Sequence, residues 1–191
     1  MLQKVPAVLG RLLRRDRAGS EELTINDPAF ADVPGGLEVT SPAFEDDGPL
    51  PLSCTDDGDK LSPPLAWSGV PAEAEAVVLV VEDADSPTPT PLVHAIVWDL
   101  PGEDGRLAAG DLEGPTSTGE GHLMGRNGYR KAEYLPPDPP RGHGRHRYCF
   151  QVFALDQRLD FDTPPGRREL IESMTGHVLA KGCLVGVYER R

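Results

Sequence analysis

No stretch of the 191-residue chain approaches the 18 or so apolar residues of a membrane span. The N-terminus also lacks an uninterrupted apolar region followed by a small-residue cleavage site, so a cytoplasmic location is expected. Cysteine is scarce. Cys54, Cys149 and Cys183 are an odd set without C-x-x-C spacing, which argues against a disulfide framework and a thiolate zinc site. The five histidines show neither H-E-x-x-H nor other ligand spacing, and there is no G-x-S-x-G nucleophile elbow. No metal, cofactor or catalytic residue is therefore expected.

Basic residues are few where acids are many. From Glu21 to Pro115 there are 21 acidic residues against Lys60 and Arg106 alone, and the whole chain carries −12. A surface of that sign disfavours nucleic acid as a partner, because neutralising phosphates takes a dense Lys/Arg face. The basic residues gather instead in the first 20 positions and in the last third, where they are placed to face an anionic ligand.

Proline and glycine are abundant, at 20 and 21 residues. Helical bundles tolerate neither well, so strands joined by stiff loops are expected. Short β-type runs bear this out: Leu37 to Ser41, Val77 to Glu82, Val93 to Trp98, Arg147 to Leu155 and Cys183 to Tyr188 are too short for helices and rich in β-branched residues. Leu170, Ile171, Met174 and Val178 recur at helical spacing, with Thr163-Pro164 ahead as a start and Gly182 behind as a stop. The division expected is an N-terminal arm over residues 1–36 and one domain over 37–191. Leu2, Val5, Leu9 and Leu12 give the arm a short amphipathic helix. Such a helix suits an acidic membrane or a partner subunit, but Pro6 and Gly10 weaken it, so an arm packed on its own acidic domain is the preferred reading.

Two stretches carry candidate chemistry. The first is SPPLAWSGVP at 62–71, then a strand, then EDADSPTPTPLVHAIVWDLP. It sets Asp83 and Asp85 just past one strand and His94 inside the next, so acids and imidazole meet at one sheet edge if those strands are neighbours. The second is PPDPPRGHGRHRY at 136–148, a proline segment running through two glycines into a strand that presents His146, Arg147 and Tyr148. A carboxylate beside an imidazole holds it as a cationic donor, so Asp83 is suited to His94 or His146.

In order and content these stretches resemble the phosphatidylethanolamine-binding proteins, particularly their bacterial and archaeal branch related to Raf kinase inhibitor protein. The resemblance rests on SPPLAWSGVP, on the D-x-D-x-P element at Asp83 to Pro87, on His94, and on P-P-x-G-x-G-x-H-R-Y at 139–148. It implies a mainly β fold, a β-sandwich with a large central sheet and a few peripheral helices. It also implies an anion pocket with Asp83, Pro87 and His94 on one wall and Asp138, Pro139, Pro140, His146 and Tyr148 on the other. Asp85 looks like a loop-shaping residue. Ala84 and Ser86 stand where the family usually has proline and alanine, Ala95 replaces a common tryptophan, and Pro136-Pro137 replaces a Gly-Pro. The function implied is non-enzymatic capture of a small anionic or phosphorylated ligand, with kinase- or protease-inhibitor roles and a protein partner in some members, and a homodimer in bacterial relatives. Two other readings stand beside it: a small hydrolase using His94 and Asp83, and an interaction protein whose pocket is vestigial.

Overall fold

The computed structural model describes residues 7–112 and 121–190. Every residue of strand β4 (Ala76–Asp83) is buried, which an alternating strand with one wet face cannot be. The alternation is there, but both faces are covered. Val77, Leu79 and Val81 enter one core, while Val78 and Val80 enter another. Each such side chain is worth about 1.5–3 kcal/mol of burial, so β4 is the strand on which both layers of the protein depend.

It sits inside a six-stranded sheet ordered β2 (Gly48–Pro49), β9 (Val178–Tyr188), β8 (His146–Leu155), β4, β5 (Leu92–Pro101) and β7 (Leu123–Met124). All neighbours are antiparallel except β2 with β9. A three-stranded sheet, β1 (Glu38–Thr40), β3 (Leu65–Ser68) and β6 (Gly105–Leu107), covers one face through Val39, Leu65, Trp67 and Leu107. The other face is closed by Phe30 and by helix α2 (Arg167–Met174) through Leu170 and Met174. The chain is thus a mainly β sandwich with few helices.

α2 is shorter than the sequence spacing suggests. Gly176, at φ +85°, ends it, and Val178 opens β9 instead of continuing the apolar stripe. Gly182, expected as the stop, lies within β9. A Cβ there would meet the Leu37 carbonyl oxygen at 2.1 Å, so the glycine serves close approach of backbones.

Of the arm's helical stripe, Leu2 and Val5 lie outside the described residues. Helix α1 (Ala7–Leu12) turns Val8, Leu9 and Leu12 outward and presses Gly10 against the Arg141 carbonyl. The arm then docks on its own domain by polar contacts. Ala18 and Gly19 donate to the Ser86 and Ala84 carbonyls, and Phe30 is wholly buried against Phe153. Between them lies a buried carboxylate, Glu82, which accepts from Thr24 N and Oγ1, Gln151 Nε2 and Arg167 Nε at 2.7–3.1 Å. One side chain thereby ties the arm, two strands and α2. Glu82→Ala would leave Gln151 Nε2 and the Thr24 amide without their acceptor and Arg167 without its counter-charge, and a loss of about 3 kcal/mol is expected. Urea unfolding of the variant measures it, and a loss below about 1 kcal/mol would show that the arm docks without this carboxylate.

Candidate functional site

Antiparallel pairing brings the end of β4 to the starts of β5 and β8, with Asp83 opposite both Leu92 and Tyr148. Residues about ten and sixty positions apart thus share one sheet end. Strand alternation alone would not aim His94 at it. Val93 belongs to the second core and Ala95 to the first, and the β4–β5 register skips a residue between them, pairing Val81 with Ala95 and Glu82 with Val93. His94 is the extra residue of a β-bulge, a device that re-aims a side chain.

The bulged ring is fixed from behind. His94 Nδ1–H donates to the Leu135 carbonyl at 2.5 Å while the Leu135 amide donates to the His94 carbonyl at 2.8 Å. That tautomer leaves a lone pair on Nε2, which is buried and has no partner among the described residues. Burial pushes the His94 imidazole down and outweighs the opposing pull of Asp83, so the free ring is neutral.

Asp83 holds the other histidine. Its Oδ1 accepts from the Asp85 amide at 2.8 Å, closing a local turn, and its Oδ2 faces His146 Nδ1 at 2.7 Å. His146 Nε2 lies 2.7 Å from His143 Nδ1, and His143 Nε2 lies 2.7 Å from the Leu13 carbonyl. Three hydrogen bonds therefore run between two acceptor ends through two imidazoles, which requires three protons where two neutral rings carry two. Burial first, and the neighbouring His146 second, push the His143 ring down. The third proton lies between Asp83 Oδ2 and His146 Nδ1, the one pair of the chain that includes a carboxyl.

A cavity of about 260 Å³ opens over this constellation. Asp83, Pro87, His94, Asp138, Pro139, Pro140 and His146 all line it. Tyr148 does not. Its ring lies in the core between the sheets, edge-on to His94 at 5.1 Å, and its buried hydroxyl has no partner among the described residues. Asp85 turns the other way, to Arg147 and Arg17. Burial raises its carboxyl, but those two guanidiniums outweigh it and hold it at about 2. Gly142 and Gly144, the two glycines of the second stretch, are likewise not on the cavity wall.

Sequence reasoning missed Asp56, Tyr129 and Leu135 on the rim and Arg190 behind it. Asn127 delivers Tyr129: its Oδ1 accepts from the Tyr129 and Lys131 amides, and its Nδ2 donates to the Glu133 carbonyl. An asparagine followed by glycine signals such a turn, although not where the turn docks. Arg190, 3% exposed, pairs with Asp138 and Asp57 and donates to the Pro139 carbonyl, pinning the proline segment from the C-terminal end.

Against known proteins, residues 40–189 match the family model described as phosphatidylethanolamine-binding protein. This chain belongs to the phosphatidylethanolamine-binding protein family. A UPF0098 protein of Methanothermobacter thermautotrophicus is 34% identical over 81% of this chain and 99% of its own. Phomoidride biosynthesis cluster protein B of Talaromyces stipitatus is 32% identical over 96% of this chain and 80% of its own, so its likeness extends into the arm. Among solved structures, a phosphatidylethanolamine-binding protein homolog of Chlamydia trachomatis superposes with a TM-score of 0.73 at 34% identity, covering 82% of this chain and 99% of that one. YbcL of E. coli, also described as a family member, gives 0.74 at 26% identity, covering 82% and 100%.

The unpartnered Tyr148 hydroxyl gives a direct check on the core between the sheets. Removing a buried, unsatisfied hydroxyl relieves a desolvation cost of about 1–3 kcal/mol. Tyr148→Phe is therefore expected to unfold at the same or a higher temperature than the parent, by calorimetry. A clear drop in melting temperature would mean that the hydroxyl is bonded in solution.

Proposed function

We propose that this family member is a non-enzymatic binder of a small anionic or phosphorylated ligand, held over His94. The observation that carries the reading is the buried, unpartnered Nε2 of His94 on the cavity wall. An anion supplies what that nitrogen lacks: its charge favours the imidazolium, and Nε2–H then donates to it.

Acids at an anion site repel the ligand unless something else has neutralised them. Each of the three here faces a basic side chain: Asp83 His146, Asp138 Arg190, and Asp56 Lys60 at 2.7 Å. The prolines at 87, 136, 139 and 140 restrict the unliganded loop, which lowers the entropy lost on binding. Service to a kinase- or protease-like partner, dimer formation and a cytoplasmic location are carried from the family resemblance and the sequence composition, with no residue assigned to them.

The sign of the pH dependence follows. With the free His94 pKa below its ordinary 6.5 and the bound one raised by the ligand, binding takes up a proton between the two values. Affinity is greatest below the free value and falls about tenfold per pH unit above it. Titration of phosphoethanolamine and inorganic phosphate from about pH 5 to 8, followed at the His94 ring by NMR, is expected to show that fall and to lose it in His94→Gln. Flat affinity would overturn the reading, and affinity that rises with pH would instead mark a ligand that donates to neutral His94.

A neutral imidazole with a bare Nε2 is also a general base, which keeps a catalytic reading open. Among the described residues, the hydrolase form of it lacks a serine paired with a histidine. Ser86 Oγ bonds the Asp83 carbonyl, Thr88 and the Leu92 amide, and no histidine is among its partners. Ester or phosphoester turnover abolished by His94→Ala in a folded protein would favour catalysis over binding.

A further inference from the structure

The far side of the Asp83 to Pro87 turn holds a second hollow, of about 370 Å³, lined by Arg14, Arg17, Asp85, Gly144, Arg145 and Arg147. Four guanidiniums surround one buried carboxylate in a protein whose net charge is −12. Asp85 accepts from Arg147 Nε and Nη2 at 2.8 and 2.9 Å and from Arg17 Nη1 at 2.7 Å, so its capacity is taken. Arg145 pairs with Asp47 through Nη2 alone. Arg14 has no side-chain hydrogen bond to any described residue. Counting Asp47 with Asp85, the cluster keeps two uncompensated positive charges.

The free donors converge. Of the five N–H groups on a guanidinium, Arg145 keeps those on Nε and Nη1 and Arg147 those on Nη1, while Arg14 keeps all five. Gly144, at φ +106°, makes the room: a Cβ there would stand 3.3 Å from Arg17 Nη2 and 3.7 Å from Arg14 Nε. Arg17 does the positioning. It donates to the Arg14, Arg145 and His143 carbonyls, so the arm and the 145–147 segment are fixed relative to each other before any ligand arrives. Guanidiniums gathered on one hollow in excess of their counter-charges suit a dianion with several oxygens.

We propose that this hollow is a second anion site, distinct from the His94 cavity, which takes the terminal phosphate of a phosphomonoester between the arm's Arg14 and the domain's Arg145 and Arg147. The same chemistry is offered by a soluble metabolite and by a monoester lipid headgroup. Because Arg14 and Arg17 come from the arm, occupancy also fastens the arm to the domain.

The test follows backbone amides of the full chain during titration with inorganic phosphate at low ionic strength, with chloride at matched ionic strength as control. Saturable shifts at Gly144 and Arg145 are expected from phosphate only. Arg14→Gln, which breaks no bond in the structure, is expected to weaken them, and Arg14→Gln with Arg145→Gln to weaken them at least about tenfold. His94→Gln is expected to leave them intact, so failure of the first cavity and failure of this site are told apart. Glycerol 3-phosphate and vesicles containing phosphatidate then compete for the same shifts, and whichever competes identifies the source. The proposal is overturned by shifts that chloride reproduces, that survive the double variant, that vanish in His94→Gln, or that neither monoester competes away.

Discussion

A carboxylate can stand on the wall of an anion cavity only when its charge has been neutralised from elsewhere. Asp83 meets that condition through His146, and His146 meets it only because His143 and the Leu13 carbonyl accept the rest of the proton chain. The chain from Asp83 to His143 is consequently neutral as a unit. Buried polar pairs seldom add stability over apolar residues of equal volume. On the proposed reading the reason for this one lies in the cavity, where it leaves His94 as the group whose charge state a ligand would change.

The proton chain also gives the arm a place in the site. Leu13 is about 130 positions from His143 in sequence, yet its carbonyl is the terminal acceptor of the chain that begins at Asp83. Were the arm to lift, His143 Nε2–H would lose its acceptor and the chain its fixed direction. The arm is thus part of the electrostatics of a pocket that it does not line. Its second half is bound still more firmly, with Phe30 in the core and Thr24 on Glu82.

Four strands of the large sheet, β4, β5, β8 and most of β9, were legible because their apolar runs are short and β-branched, and the order of motifs pointed to the family; the two-residue strands β2 and β7 carry no such run. Three features were not legible, for physical reasons. Periodicity assigns a face to every strand residue, but a bulge interrupts the period without changing composition, so nothing in VHAIVW reveals that His94 is the residue displaced. Tyr148 fails in the opposite sense. Period two places it beside His146 on the same face, which is correct, but that face is continuous with the core, and one residue further along it the pocket has already ended. Arg190 was missed because a single basic residue near a terminus carries no pattern, and only the return of β9 beside β8 brings it to Asp138.

The same turn sorts charge to two sides. In an extended strand Asp83 and Asp85 would share a face. The bond from the Asp85 amide to Asp83 Oδ1 breaks that alternation, sending the first acid to the histidines and the second to the arginines. On one side Asp83 is held by His146, and on the other four guanidiniums exceed the acids that face them. Proton-dependent donation and permanent positive charge therefore lie back to back across one loop, with the backbone of residues 83–86 as the partition. A change in that loop's conformation would alter both environments at once, because the acids that define them are two residues apart.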